Sequence, residues 1–173
     1  MKKIEEYLLK KERIMDGFLV MQRELVRECS KAIKEIHEGK VSDAEKRIKK
    51  AEEEFKNLPK EPFVYPYYLH VAQEFFEAKI LLSVVKTKEI PKPEEPYEAF
   101  LTGMLDAAGE LKREMYEALR KGDKRVAEKY FKLMEKIYDE SLHFKFSESV
   151  LPGFRRKQDV LRIQLEQARG ELL

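Results

Sequence analysis

The sequence predicts an all-α protein, an antiparallel bundle of about six helices built as one domain over residues 1–173. Three observations lead there. Long stretches carry apolar residues at three- and four-residue spacing, the period of a helix with one buried face. The seven prolines, with Gly39, Gly122 and Gly153, cluster at the joints between those stretches. The joints are short, which predicts antiparallel neighbours, and no segment reads as a strand.

The first helix is expected over about 4–38, with a soft point at Gly17 and Gly39 as its C-terminal cap. Ser42 with Glu45 has capping-box spacing and opens a second helix, about 42–56. Three prolines make 58–66 a connector, and Pro66 suits the first turn of a third helix, about 65–86. Three more prolines fall in the break 87–96. A fourth helix follows over about 97–121 and ends at Gly122. Asp123 can cap a fifth helix running to about Phe146, and Pro152-Gly153 precede a last one over about 154–171.

Composition narrows the function classes. An apolar content of 43% over 173 residues supports a real core. The charged fraction of 39% exceeds the usual quarter or so. Glu and Lys dominate and Asn57 is the lone asparagine, a bias of proteins from hot environments. A net charge of +2 leaves a weak overall field, so affinity for nucleic acid must come from local patches. The single Cys29 suits a reducing compartment. Neither a secretory leader nor a membrane-length apolar stretch is recognisable, so a soluble cytoplasmic protein with no membrane partner is expected.

The most informative feature is four acids on otherwise apolar helix faces. Apart from Lys79, Glu74 and Glu77 are the only charges in 63–85, and Asp106 and Glu110 are the only ones in 100–111. Each pair has helical spacing and lies on one side of its helix. Burying unpaired carboxylates is costly, so two such pairs on neighbouring helices call for a cation between them. An all-oxygen donor set suits Mg2+ or Mn2+. Such an ion can polarise a phosphoryl oxygen and lower the pKa of bound water. The plainer reading is a solvated acidic edge paired with Lys79, Lys112 and Arg113. His70 lies on the same stripe as Glu74 and Glu77 and is held as peripheral.

Two further patterns bear on partners and metals. Arg23, Arg27, Lys31 and Lys34 form one row on the first helix, able to track a phosphate backbone or simply to form ion pairs on a solvated face. Arg155, Arg156 and Lys157 open the last helix and could serve the same end. Glu140 and His143 match the Glu-x-x-His of di-iron bundles, but that site needs two such motifs and only one is present.

Several segments together resemble translin-associated factor X. They are Gln73-Glu74-Phe75-Phe76-Glu77-Ala78 and the longer run from Leu101 through Gly103, Asp106, Gly109 and Glu110 to Arg113. Gly122-Asp123, Ile137-Tyr138-Asp139 and the basic Phe154-Arg155-Arg156-Lys157-Gln158-Asp159 also fit. The similarity extends from about Glu12 to the C-terminus, and the segment holding Asp106 and Glu110 is its most specific part. The resemblance implies a translin-like α-α superhelix that binds single-stranded RNA and DNA and assembles as a hollow octamer. It further implies a magnesium-dependent endoribonuclease whose acids match Glu74, Glu77, Asp106 and Glu110. The family's nucleic-acid-binding residues map onto Arg23, Arg27 and Lys31. The chain is shorter than eukaryotic members and, as one chain type, points to a homo-oligomer.

The expected activity is therefore metal-dependent cleavage of single-stranded RNA, with single-stranded DNA as a second substrate. A closed shell with the acids inside would admit flexible strands and exclude a duplex. The competing readings are a non-catalytic single-stranded nucleic-acid-binding module and an iron-binding or structural bundle using Glu140 and His143.

Overall fold

A computed structural model describes all 173 residues. It contains six α-helices and no strand: α1 (Lys2–His37), α2 (Val41–Lys56), α3 (Tyr65–Thr87), α4 (Tyr97–Arg120), α5 (Lys124–Ser141) and α6 (Phe154–Leu172). Helices α3 and α4 pack side by side at the centre. Helices α1 and α2 cover α3, while α5 and α6 cover α4.

Sequence explains that order. Helix α3 buries residues on every side, from Val71 and Ala72 through Phe75 and Phe76 to Leu81 and Val84, so neighbours must surround it. Phe55 of α2 stacks on Phe75 at 4.7 Å and on Tyr68 at 5.4 Å, and Phe76 meets Phe100 of α4 edge-on at 5.4 Å. The α4 surface facing α3 is small: Thr102, Gly103, Ala107 and Ala108 are all buried. A Cβ on Gly103 would sit 2.8 Å from the Gln73 carbonyl oxygen and 3.0 Å from the Glu77 backbone nitrogen. This glycine lets the two helices approach at the level of the acidic pairs.

Two turns behave as the sequence predicts. Gly39 and Gly122 adopt left-handed φ values of 77° and 78°. After α1, Lys40 N–H donates to Glu35 O and Gly39 N–H to Ile36 O; after α4, Asp123 and Gly122 repeat the pattern onto Ala118 and Leu119. These are Schellman ends. Asp123 also caps α5 by accepting from Val126 N–H at 3.0 Å.

Three local expectations need correction. Helix α1 runs unbroken through Gly17. The Ser42–Glu45 capping box does not form: α2 starts at Val41, and Glu45 instead pairs with Lys86 of α3 at 2.7 Å. Helix α5 ends at Ser141, not Phe146. The reason is tertiary, since Gln158 of α6 donates to the Ser141 carbonyl at 2.8 Å and satisfies a terminal acceptor there.

Helix α1 is roughly 54 Å long, and its residues 1–10 are all exposed. Its buried seam (Phe18, Leu25, Cys29, Ala32, Ile36) continues N-terminally as Met15, Leu8 and Ile4, with Leu8 and Ile4 about half exposed. The apolar face of a free helical arm thus extends beyond the bundle. No helix of the structure is long and apolar enough to cross a membrane.

Candidate nucleic-acid and metal site

The close crossing at Gly103 brings the acids of α3 and α4 to one cleft of about 550 Å³, closed on its third side by the first turns of α6. Glu77, Asp106 and Glu110 line it together with Arg156, Lys157 and Gln164. Glu74 is one helical turn from Glu77 and acts on it electrostatically without lining the cleft.

Each acid has a different environment. Asp106 is chelated by the Lys157 ammonium, at 2.6 Å from Oδ1 and 2.8 Å from Oδ2, and accepts from Gln73 Nε2 at 2.8 Å. Glu110 Oε2 meets His37 Nε2 at 2.5 Å, and the other ring nitrogen meets Glu114 at 2.5 Å. His37 is the last residue of α1, and its side chain is 5% exposed. Glu77 forms no hydrogen bond or ion pair.

The electrostatics follow from that arrangement. Burial, reinforced by the charges of Asp106, Glu74 and Glu110, pushes the Glu77 carboxyl up to about 8, and Lys157 only partly offsets this. Burial opposes the charged form of His37, but its two carboxylate hydrogen bonds win and raise it to about 9. The end of α1 adds a favourable dipole for that charge. The hydrogen bond from His37 holds Glu110 below the usual carboxylate range.

Both raised groups make the same prediction about stability in the presence of chelator. A raised folded-state pKa means that the native state binds more protons than the unfolded chain, so stability falls as pH rises. For Glu77 the loss runs from about 4.5 to 8, and for His37 from about 6.5 to 9. Thermal unfolding should therefore shift down by roughly 10 °C or more between pH 5 and pH 9, even with the linkage discounted about twofold for partial exposure. Glu77→Gln should remove much of the slope between pH 5 and 8. A midpoint that is flat or rises over this range contradicts the assignment.

The residues fit a hard divalent cation in donor type, which is carboxylate oxygen throughout, and in their unbalanced negative charge at Glu77. They are not drawn together as a cage. Nowhere in the molecule do three acidic, histidine or cysteine side chains converge to hold an ion. In the cleft, Lys157 occupies Asp106 and His37 occupies Glu110.

The other sequence-based candidates scatter. Glu140 and His143 are exposed, and His143 lies beyond the end of α5, so the iron-bundle reading has no assembled site. His70 is exposed and outside the acidic cleft. Arg23, Arg27, Lys31 and Lys34 form an exposed row on α1. Lys31 pairs with Glu28 at 3.0 Å and Lys34 reaches Glu38 at 3.8 Å, whereas Arg23 and Arg27 have no acidic partner. Arg156 lines the cleft, and Arg155 does not. The pairing of Asp106 with Lys157, and the His37–Glu114 arm of the site, were not read from sequence. A signal existed for Glu114: Asp106, Glu110 and Glu114 form an i, i+4, i+8 stripe.

Known proteins place this chain. No family model matches it. An uncharacterised protein of Methanocaldococcus jannaschii, MJ0175, is 31% identical over 96% of this chain and 78% of its own length. The structure of AfC3PO in complex with duplex RNA superposes with a TM-score of 0.90 and 32% identity, covering 99% of this chain and 93% of that one. The crystal structure of AfC3PO alone gives 0.88 and 31%, covering 99% and 94%. The chain belongs to the translin superfamily. Its six-helix bundle is the translin-like fold expected from the residues around Glu74, Asp106 and Arg155. The RNA in that AfC3PO complex is a duplex.

Proposed function

We propose that this translin-family protein is a metal-dependent endoribonuclease acting on RNA, single strands before all, with single-stranded DNA as a second substrate. The observation that carries the reading is Glu77, a half-buried carboxylate without a partner, held beside Asp106 and Glu110 in a cleft that also presents Arg156 and Lys157, with the charge of Glu74 acting on it from one helical turn away.

In this reading Glu74, Glu77, Asp106 and Glu110 hold Mg2+ or Mn2+. The ion, when bound, would polarise the phosphodiester and acidify a water molecule. The residues of the chain do the rest. Arg156 and Lys157 hold the phosphate over the acids. His37, gripped by Glu110 and Glu114, fixes the Glu110 carboxylate in one rotamer. Arg23 and Arg27, free of acidic partners, engage the backbone further along without reading bases.

Purified protein should cut an unstructured RNA in Mg2+ or Mn2+, stop when chelator is added and resume on re-addition. Cleavage of a matched duplex should be at least several-fold slower. RNA binding in chelator should weaken steeply with salt. Binding without cleavage in any divalent ion would leave the second reading, a non-catalytic RNA-binding module. That alternative draws its support from the Asp106–Lys157 and Glu110–His37 pairs, which close two of the four acids.

We also propose that the chain self-associates, with the octamer of the family resemblance as the largest expected form. The uncovered arm of α1, with Ile4, Tyr7, Leu8 and Leu9 each about half exposed, is the face that gains most from a second copy. Removing residues 1–13 should lower the mass measured by light scattering, and an unchanged mass would clear the arm of that role.

A further inference from the structure

Lys157 sits on Asp106 in the manner of a stand-in metal ion. Its ammonium contacts both carboxylate oxygens, at 2.6 and 2.8 Å. The side chain is not held there by chance of rotamer alone. Gly153 turns the chain with a left-handed φ of 72°, and its N–H is accepted by Glu148 at 2.8 Å. Phe154 and Leu161 then anchor the first turns of α6 in the core. Between those anchors Lys157 projects over α4 into the cleft. Lys157 and Asp106 are each about a quarter exposed, so the pair is neither a loose surface contact nor a sealed one.

The surroundings say what this charge does. Gln73 already donates to Asp106 Oδ2, so the aspartate keeps a hydrogen bond if the ammonium leaves. Glu77, which has no direct partner, is eased by the nearby charge of Lys157. A cation bound by Asp106 and Glu77 cannot share the Asp106 oxygens with an ammonium at these distances, because like charges so close repel strongly. A lysine stem is long and flexible. The open volume available to it lies in the same cleft of about 550 Å³, lined by Arg156 and Gln164.

We propose that Lys157 is an exchangeable counter-ion. It neutralises Asp106 while the cleft holds no metal, competes with a divalent cation for that carboxylate, and moves beside Arg156 to bind an RNA phosphate once Asp106 is taken. This rests on the reading of the acids as metal ligands, and it adds that metal and RNA help each other bind through one side chain.

Two measurements test it without relying on turnover. The first is Mn2+ binding in the absence of RNA, read by titrating the free-ion resonance. Lys157→Met should bind Mn2+ about five- to tenfold more tightly than the wild type. Lys157→Arg, which keeps the competing charge, should stay near the wild type. Equal or weaker binding by Lys157→Met overturns the competition. The second is RNA affinity in chelator, where nothing is cut. Asp106→Asn releases Lys157 and should tighten binding about fivefold. The same change in a Lys157→Met background should gain clearly less, and an equal gain in both backgrounds overturns the movement onto RNA. Mn2+ binding with no cleavage would remove the nuclease reading and leave this proposal standing, whereas no Mn2+ binding to any of the proteins would remove both. Thermal unfolding of each variant confirms that it is folded.

Discussion

Asp106→Asn should lower RNA cleavage in saturating Mg2+ by at least about 100-fold while leaving the protein folded. The size follows from position. Asp106 lines the cleft and is reached by α3 through Gln73 and by α6 through Lys157. An asparagine keeps the shape and one oxygen but removes the charge that a divalent ion needs. The structural cost is small, because the pair with Lys157 is partly exposed and such pairs contribute on the order of 1 kcal/mol or less. A rate loss with an unchanged unfolding midpoint therefore reports the chemistry. Glu77→Gln should lose cleavage on a similar scale. Glu140→Ala, on an exposed part of α5, should leave the rate as it is. Should Asp106→Asn keep a tenth or more of the rate while chelator still stops the reaction, the metal is bound somewhere else.

Gly103→Ala should be the most damaging single-methyl change in the molecule. The added Cβ would stand 2.8 Å from the Gln73 carbonyl oxygen and 3.0 Å from the Phe76 Cβ and the Glu77 nitrogen. Two of these three atoms are main chain, which no side-chain rotation can move aside. Helices α3 and α4 must separate or slide, and overpacking of this kind costs about 1–3 kcal/mol. For a chain of this size that lowers the unfolding midpoint by several degrees, roughly 2–4 °C for each kcal/mol. The shift also moves Glu77 relative to Asp106, so cleavage and Mn2+ affinity should both fall. Gly17→Ala is the matching control. Gly17 lies mid-helix in open space, and a methyl there should be neutral or slightly stabilising. Equal stability for Gly103→Ala and wild type would mean that the helices are not held at this distance by the glycine.

Local signals were legible wherever the chain decides its own conformation. Pro66 and Pro96 set the starts of α3 and α4, and Gly39 and Gly122 set the ends of α1 and α4. They worked because proline and left-handed glycine act through their own backbone. Two local signals failed for one reason. Ser42 with Glu45 and the apparent run of α5 to Phe146 each ignore a distant partner, Lys86 in one case and Gln158 in the other. A side chain engaged across the bundle is lost to its neighbours in sequence.

The candidate site divides along the same line. Sequence by itself determined that this is a six-helix translin-like chain with two acidic pairs on apolar faces, because periodicity and unexpected charge are properties of single helices. It also marked Arg156 and Lys157 as part of a basic turn. Only the tertiary structure decided which groups meet. It put Lys157 on Asp106, 51 positions apart, and His37 between Glu110 and Glu114, 73 and 77 positions away. It also left Glu77 without a partner and carried the row of Arg23 and Arg27 on a separate exposed face. Pairing between charges depends on which helices cross and how closely, and here that is set by the absence of a side chain at Gly103.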